Sequence, residues 1–136
     1  MKKQKGFTLI ELLVVIAIIG LLSTLAVVAL NNARQKSRDA KRVSDVKQMQ
    51  TAFELYYNDA NEYPTNISAP IARGGVTYMG TIPTNPAPSN DGTCTTNSYT
   101  YASQSSGASY TLTYCLGGTT GGVSAGWHTA TPNGIQ

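Results

Sequence analysis

The sequence predicts an α+β protein: one long N-terminal helix, membrane-spanning in its first half and amphipathic in its second, packed on a small antiparallel β-sheet head. Three observations carry this. From Phe7 to Leu30 the chain is apolar except for Thr8, Glu11, Ser23 and Thr24, with Gly20 in the middle. From Asn31 to Glu62 there is neither proline nor glycine, and apolar residues recur at helical spacing. Beyond that point the composition turns to Thr, Gly, Ser and Asn, with all six prolines at or after Pro64. The 136 residues leave room for one modest domain. Apolar residues make up 41% and charged residues only 12%, which excludes a charge-rich disordered chain.

The first element is the apolar run. Twenty-four residues of helix would reach about 36 Å, enough to cross the hydrocarbon core of a bilayer. A secretory signal peptide competes with this reading, because Lys2, Lys3 and Lys5 precede the run. The run is longer than the apolar core of such a peptide, and Glu11 sits inside it. A carboxylate there is costly in lipid and calls for a partner. An uncleaved span is therefore expected.

The second element continues the first. Val43, Val46, Met49, Phe53, Tyr56 and Ala60 form one apolar stripe, with most of Asp39, Lys41, Arg42, Asp45, Lys47 and Glu54 off it. Asn61 suits a helix stop, and Pro64 biases Tyr63 away from helix. A single helix from about Phe7 to about Ala60 results, roughly 80 Å long.

In the head, Val76–Met79, Ser98–Ala102 and Ser109–Leu116 read as strands, with Val123–His128 a weaker fourth. In the third, Tyr110, Leu112 and Tyr114 alternate with Thr111, Thr113 and Cys115. Ser105-Ser106-Gly107 suits a hairpin loop, and the proline-rich stretch from Thr81 to Gly92 an irregular one. So few strands need the helix stripe to cover them.

The sequence offers little for catalysis, and neither an enzyme nor a cofactor is expected. The one histidine, His128, lies in a glycine-rich tail, without a P-loop, a Gly-x-Ser-x-Gly or a His-Glu-x-x-His spacing. Cys94, Cys115 and His128 could supply zinc ligands, but zinc sites usually show a close cysteine pair. Two cysteines in a chain that looks exported read instead as a disulfide.

The net charge of +3 comes from Lys2, Lys3 and Lys5; with them set aside, seven basic residues face seven acidic ones. Arg34, Arg38 and Arg42 recur every four residues and form a ridge of like charge. Such spacing does not stabilise an isolated helix, so contact with a neighbouring subunit or lipid headgroups is expected. Asp39 and Asp45 dilute the patch and no aromatic is interleaved, so nucleic acid is not indicated. Six basic residues within Asn31–Lys47 follow the span, which by the positive-inside rule would place the head in the cytoplasm. The disulfide and the neutral, threonine-rich surface point outward.

The stretch from Lys3 to Gly20, with a short basic leader ending in Gly6 and then Phe-Thr-Leu-Ile-Glu before unbroken apolar sequence, resembles type IV pilins and type II secretion pseudopilins. The resemblance is strong over the first thirty residues and extends more weakly to Pro64. It implies a prepilin peptidase cut between Gly6 and Phe7, N-methylation of Phe7 and a role for Glu11 in assembly. It also implies a cytoplasmic leader and an exported head, which resolves the topology. The chain then divides into a leader (1–6), a transmembrane and filament-core segment (7–30), an amphipathic continuation (31–62) and a β-rich head (63–136).

Two departures stand out. Many pilins carry a proline where this chain has Val28, which leaves Gly20 as the expected loosening point of the span. Major pseudopilins hold calcium in their C-terminal loops, whereas Asp91 is the only carboxylate here beyond Glu62. No metal is expected, which favours a pilin. The resulting expectation is a structural subunit of a type IV pilus-like filament. It would be stored in the bacterial inner membrane, joined to copies of itself by membrane assembly machinery, and displayed outside the cell. The alternatives are a pseudopilin or a monomeric, membrane-anchored binding module.

Overall fold

A computed structural model of the chain describes residues 6–96 and 98–136; Lys2, Lys3 and Lys5 of the leader lie outside the described residues. The elements are α1 (Leu9–Ala60), β1 (Ile71–Arg73), β2 (Val76–Met79), β3 (Thr100–Gln104), a 3-10 turn (Ser105–Gly107), β4 (Ser109–Leu116), β5 (Gly126–Thr131) and β6 (Gly134–Ile135). The fold is α+β, with a long apolar N-terminal helix and small antiparallel sheets. Two compact units can be separated, one ending at Arg34 and the other running Gln35–Gln136.

In the first unit, every described residue is exposed, from Gly6 through Arg34. Helix α1 passes through Gly20 without a break. The polar side chains inside the run turn back on the helix: Ser23 Oγ donates to the Ile19 carbonyl at 2.7 Å and Thr24 Oγ1 to that of Leu21 at 2.8 Å. Both hydroxyls are thereby satisfied without water, as a lipid-facing helix requires.

The second unit is built on the remainder of α1. Val46, Met49 and Phe53 are fully buried against Tyr110, Leu112, Tyr114 and Leu116, the inward residues of β4, while Val43 and Tyr56 pack at the margin. Here the stripe and the alternation meet as expected. The aromatic rings interlock, with Phe53 and Tyr110 edge-on at 5.0 Å and Tyr63 against Tyr110 at 4.8 Å. Helix α1 stops where Asn61 takes φ 55° and donates its N–H to the Tyr57 carbonyl.

The main sheet has the order β3-β4-β5-β6, all antiparallel, and β1 and β2 form a separate hairpin. The predicted strands Val76–Met79 and Ser109–Leu116 are β2 and β4. The other two are displaced toward the C-terminus. Pairing of Gln104 with Ser109 across the 3-10 turn sets the register of β3, so Ser98 and Tyr99 precede the strand. Val123 instead closes a turn with Thr120, and β5 begins at Gly126. The short strands β1 and β6, of three and two residues, leave too little pattern to read.

Cys94 and Cys115 are joined, their Cα atoms 6.0 Å apart, as the export argument predicts. The bond ties the loop before β3 to the central strand and takes both sulfurs out of any zinc site. His128 is occupied elsewhere, its ring hydrogen-bonded to the carbonyls of Ser124 and Gln136. Closing a loop with a sequence separation of 21 stabilises the head by about 3 kcal/mol. Reductant should therefore lower the thermal midpoint of the head by roughly 10–20 °C, and a thiol label should find no free cysteine without it. An unchanged midpoint would contradict this role.

Candidate assembly site

The start of α1 is organised by Thr8 and Glu11. Thr8 is the residue before the first helical turn, and Glu11 lies three positions on. The Glu11 carboxylate accepts the Thr8 backbone N–H at 2.8 Å and the Thr8 hydroxyl at 2.6 Å, while Thr8 Oγ1 accepts the Glu11 N–H at 3.3 Å. This reciprocal capping box satisfies donors that a helix end otherwise leaves open, and it places the charge at the positive end of the helix dipole. It was legible as Thr-x-x-Glu before an apolar run, and a reading of Glu11 only as a burden in lipid passes over it.

Phe7, next to Gly6, is 88% exposed, and beside it Ile10, Glu11, Val14 and Val15 line a shallow apolar hollow. Gly6, Phe7 and Glu11 are thus gathered at one helix end, beside uncovered apolar surface. A helix with every apolar side chain exposed must lie in lipid or against other helices.

The arginine ridge requires correction. Arg34 is exposed, but Arg38 and Arg42 turn into the head and do not face a neighbour or headgroups. Arg38 grips Asp91 with two hydrogen bonds, Nε to Oδ2 at 2.6 Å and Nη2 to Oδ1 at 2.8 Å. Arg42 is fully buried. Its Nη1 donates to Asp39 at 2.6 Å and to Asp91 at 3.0 Å, its Nε to Asn85 at 2.9 Å and its Nη2 to the Pro86 carbonyl at 3.3 Å. Asp39 in turn accepts the backbone N–H groups of Gly117 and Gly118 at 3.0 and 2.9 Å. Two arginines and two aspartates balance, and so the charges tolerate burial. The Arg38 guanidinium, with Arg42 behind it, holds the Asp91 carboxyl below its usual range despite burial.

Two glycines permit this closure. Gly92 has φ +56°, and a side chain on it would run into the Gly117 carbonyl and the Gln35 amide. One on Gly117 would meet the Asp91 carbonyl at 2.6 Å. Only glycine lets the two backbones pass so close. Nearby, Asp45 accepts Lys41 Nζ at 2.8 Å and the Tyr99 hydroxyl at 2.9 Å, and burial, then Asp45, pushes the Tyr99 phenol up.

Residues 1–27 match the family described as the prokaryotic N-terminal methylation motif. The type II secretion system core protein G of Vibrio cholerae serotype O1 is 37% identical over 90 residues, covering 66% of this chain and 58% of that protein. The protein of the same name from Escherichia coli K12 is 44% identical over 63 residues, 46% of this chain and 43% of its own length. The type IV major fimbrial protein FimA of Dichelobacter nodosus is 44% identical over 59 residues, 43% of this chain and 38% of that one. The chain thus spans about half the length of the curated relatives it matches. No solved structure matches it. The resemblance read from Lys3–Gly20 is matched by family model and relatives alike.

Proposed function

We propose that this chain is a structural subunit of a type IV pilus-like filament, and not an enzyme. It is made as a precursor, cut by a prepilin peptidase between Gly6 and Phe7 and N-methylated on Phe7. The segment 7–30 holds it in the inner membrane until assembly machinery draws it into a fibre built of its own copies, outside the cell. The observation that carries this reading is the unbroken apolar first half of α1, exposed along its whole length, with one carboxylate held at its start. Lipid can cover such a surface before assembly, and neighbouring helices can cover it afterwards. A monomeric anchored module could use Glu11 as a helix cap but would have no use for the Gly6-Phe7 junction.

The pseudopilin reading also has support, because the relatives from Vibrio and Escherichia carry the secretion name. The calcium that this reading implies does not fit the Asp91 loop. Both carboxylate oxygens of Asp91 accept hydrogen bonds from Arg38 and Arg42, leaving carbonyls as the main remaining donors.

Mass spectrometry of the protein from its native membrane tests the proposal. The expected mature chain begins at N-methylated Phe7, and electron microscopy should find filaments containing it. A chain still starting at Met1, in cells with an active prepilin peptidase, overturns it.

A further inference from the structure

We infer that the face of the main sheet turned away from α1 binds an extended, uncharged polysaccharide of the β-glucan kind. Trp127 is its stacking platform, and Thr100, Thr113 and Thr129 are its hydrogen-bonding row. The site belongs to the folded head and does not depend on how the chain assembles.

Cross-strand pairing puts these side chains together. Leu112 and Tyr114 of β4 face the core, with Ala130 and His128 opposite them on β5. The alternate residues therefore point outward. Thr113 lies between Thr100 on β3 and Thr129 on β5, and Cys115 lies opposite Trp127. Adjacent strands are about 4.8 Å apart, so the three threonines span about 10 Å. Trp127 sits diagonally from Thr113, roughly 7–8 Å away. Branching at Cβ stiffens each threonine, so the row is held in place before a ligand arrives.

This face leaves an aromatic ring and four donors open to an outside partner. Trp127, the one tryptophan of the chain, is 52% exposed, whereas every tyrosine beyond α1 is buried or partly buried. Tryptophan offers a core more apolar surface than tyrosine does, yet the tyrosines fill the core and the indole stays outside. The indole N–H and the hydroxyls of Thr100, Thr113 and Thr129 have no hydrogen-bond partner among the described residues. Thr131, at the rim, differs: its hydroxyl donates to the Gly134 carbonyl at 3.3 Å.

Charge selects the occupant. Beyond Arg73 the one charged side chain is Asp91, which is buried and held by Arg38 and Arg42. A nucleic acid, an acidic glycan or an anionic lipid would give up hydration on this face and meet no counter-charge. A purely apolar partner would strip water from the hydroxyls and return no hydrogen bond. A neutral sugar chain suits both features. Its C–H faces stack on the indole, and its hydroxyls exchange hydrogen bonds with the threonines. Threonines of one size make a level row without a recess for bulky substituents, which favours plain hexose rings in an extended chain.

The full chain, in a detergent without a sugar headgroup, is mixed with insoluble cellulose and separately titrated with cellohexaose. Trp127 is the sole tryptophan, so its emission reads the site directly. The unaltered chain should be retained on cellulose, and cellohexaose should move the emission to shorter wavelength until it saturates. Trp127→Ala should lower retention about tenfold or more, Trp127→Phe should lower it less, and Thr113→Val should lower it about threefold to tenfold. A thermal midpoint within a few degrees of the unaltered chain shows that a variant is folded. Thr100→Val, on the edge strand β3, repeats the test of the row should Thr113→Val unfold. Absence of both retention and emission change overturns the site. Undiminished retention by folded Trp127→Ala does the same. Binding of DNA or anionic vesicles through Trp127 in place of cellulose assigns the face to another occupant and also overturns it.

Discussion

Filaments should disappear when Glu11 is replaced by valine, while membrane insertion and leader cleavage continue. Valine is cheaper than a carboxylate in lipid, so insertion loses nothing. The capping box is lost, which leaves the Thr8 N–H open and costs about 1 kcal/mol at the end of a 52-residue helix, too little to unfold it. The large effect lies between subunits. On the proposed processing, cleavage after Gly6 frees a primary amine on Phe7, and N-methylation turns it into a secondary amine, positively charged at neutral pH and one turn from the Glu11 of its own chain. On the filament proposal, an incoming subunit displaced along the fibre would bring that amine toward its neighbour's Glu11, in a core made dry by apolar side chains. Without the carboxylate, each such joint would bury a lone cation, at a cost of several kcal/mol. Membrane fractionation, mass spectrometry of the N-terminus and electron microscopy separate the three steps. Abundant, ordered fibres from Glu11→Val as sole subunit would refute this role.

Replacing Arg42 by methionine should destabilise the head by about 3–5 kcal/mol, the range for breaking a buried ion cluster by removing one partner. Methionine fills much of the space but supplies no donor for Asp39 Oδ1, Asp91 Oδ2, Asn85 or the Pro86 carbonyl. For a head of about one hundred residues the midpoint should fall by roughly 15 °C or more. Arg34→Gln, at an exposed position, should change stability by less than about 0.5 kcal/mol. Acid should act on the same cluster. The folded Asp91 carboxyl titrates below its unfolded value, so its contribution is complete above about pH 4 and is lost as the pH falls through the lower, folded value. Thermal melts of the soluble fragment Asn31–Gln136 test all three statements. An Arg42→Met midpoint within a few degrees of the unaltered fragment would show that the cluster is dispensable.

What the sequence made legible was what repeats locally. The α1 stripe, the alternation of Tyr110, Leu112 and Tyr114, and the stop at Asn61 each rest on neighbours within a few positions. The Asp39–Arg42–Asp91 cluster was not legible, because charges are assigned to solvent by default and Arg42 meets its second aspartate from 49 residues away. A trace of it was present. Stepping back from Val46 by four residues and then three lands on Arg42 and Asp39, so the buried face continues through charged positions. Nothing in a proline-rich loop announces that Asp91 will arrive there to complete the balance. The loop closure itself depends on Gly92 and Gly117, whose meaning appears only once two backbones are seen side by side.

The short stretch from Asp91 to Cys94 has a mechanical consequence for any fibre under tension. Force entering the head along α1 reaches Arg38 and Arg42, crosses to Asp91 through three charge-assisted hydrogen bonds, and passes within a few residues to Cys94. From there a covalent link carries it to Cys115 in β4, the strand that packs on the same helix through Leu112, Tyr114 and Leu116. Helix and sheet are therefore coupled by two load paths in parallel, one greasy and one ionic with a covalent tail. Tension that loosens one path still meets the other, so helix and sheet stay joined until both have given way.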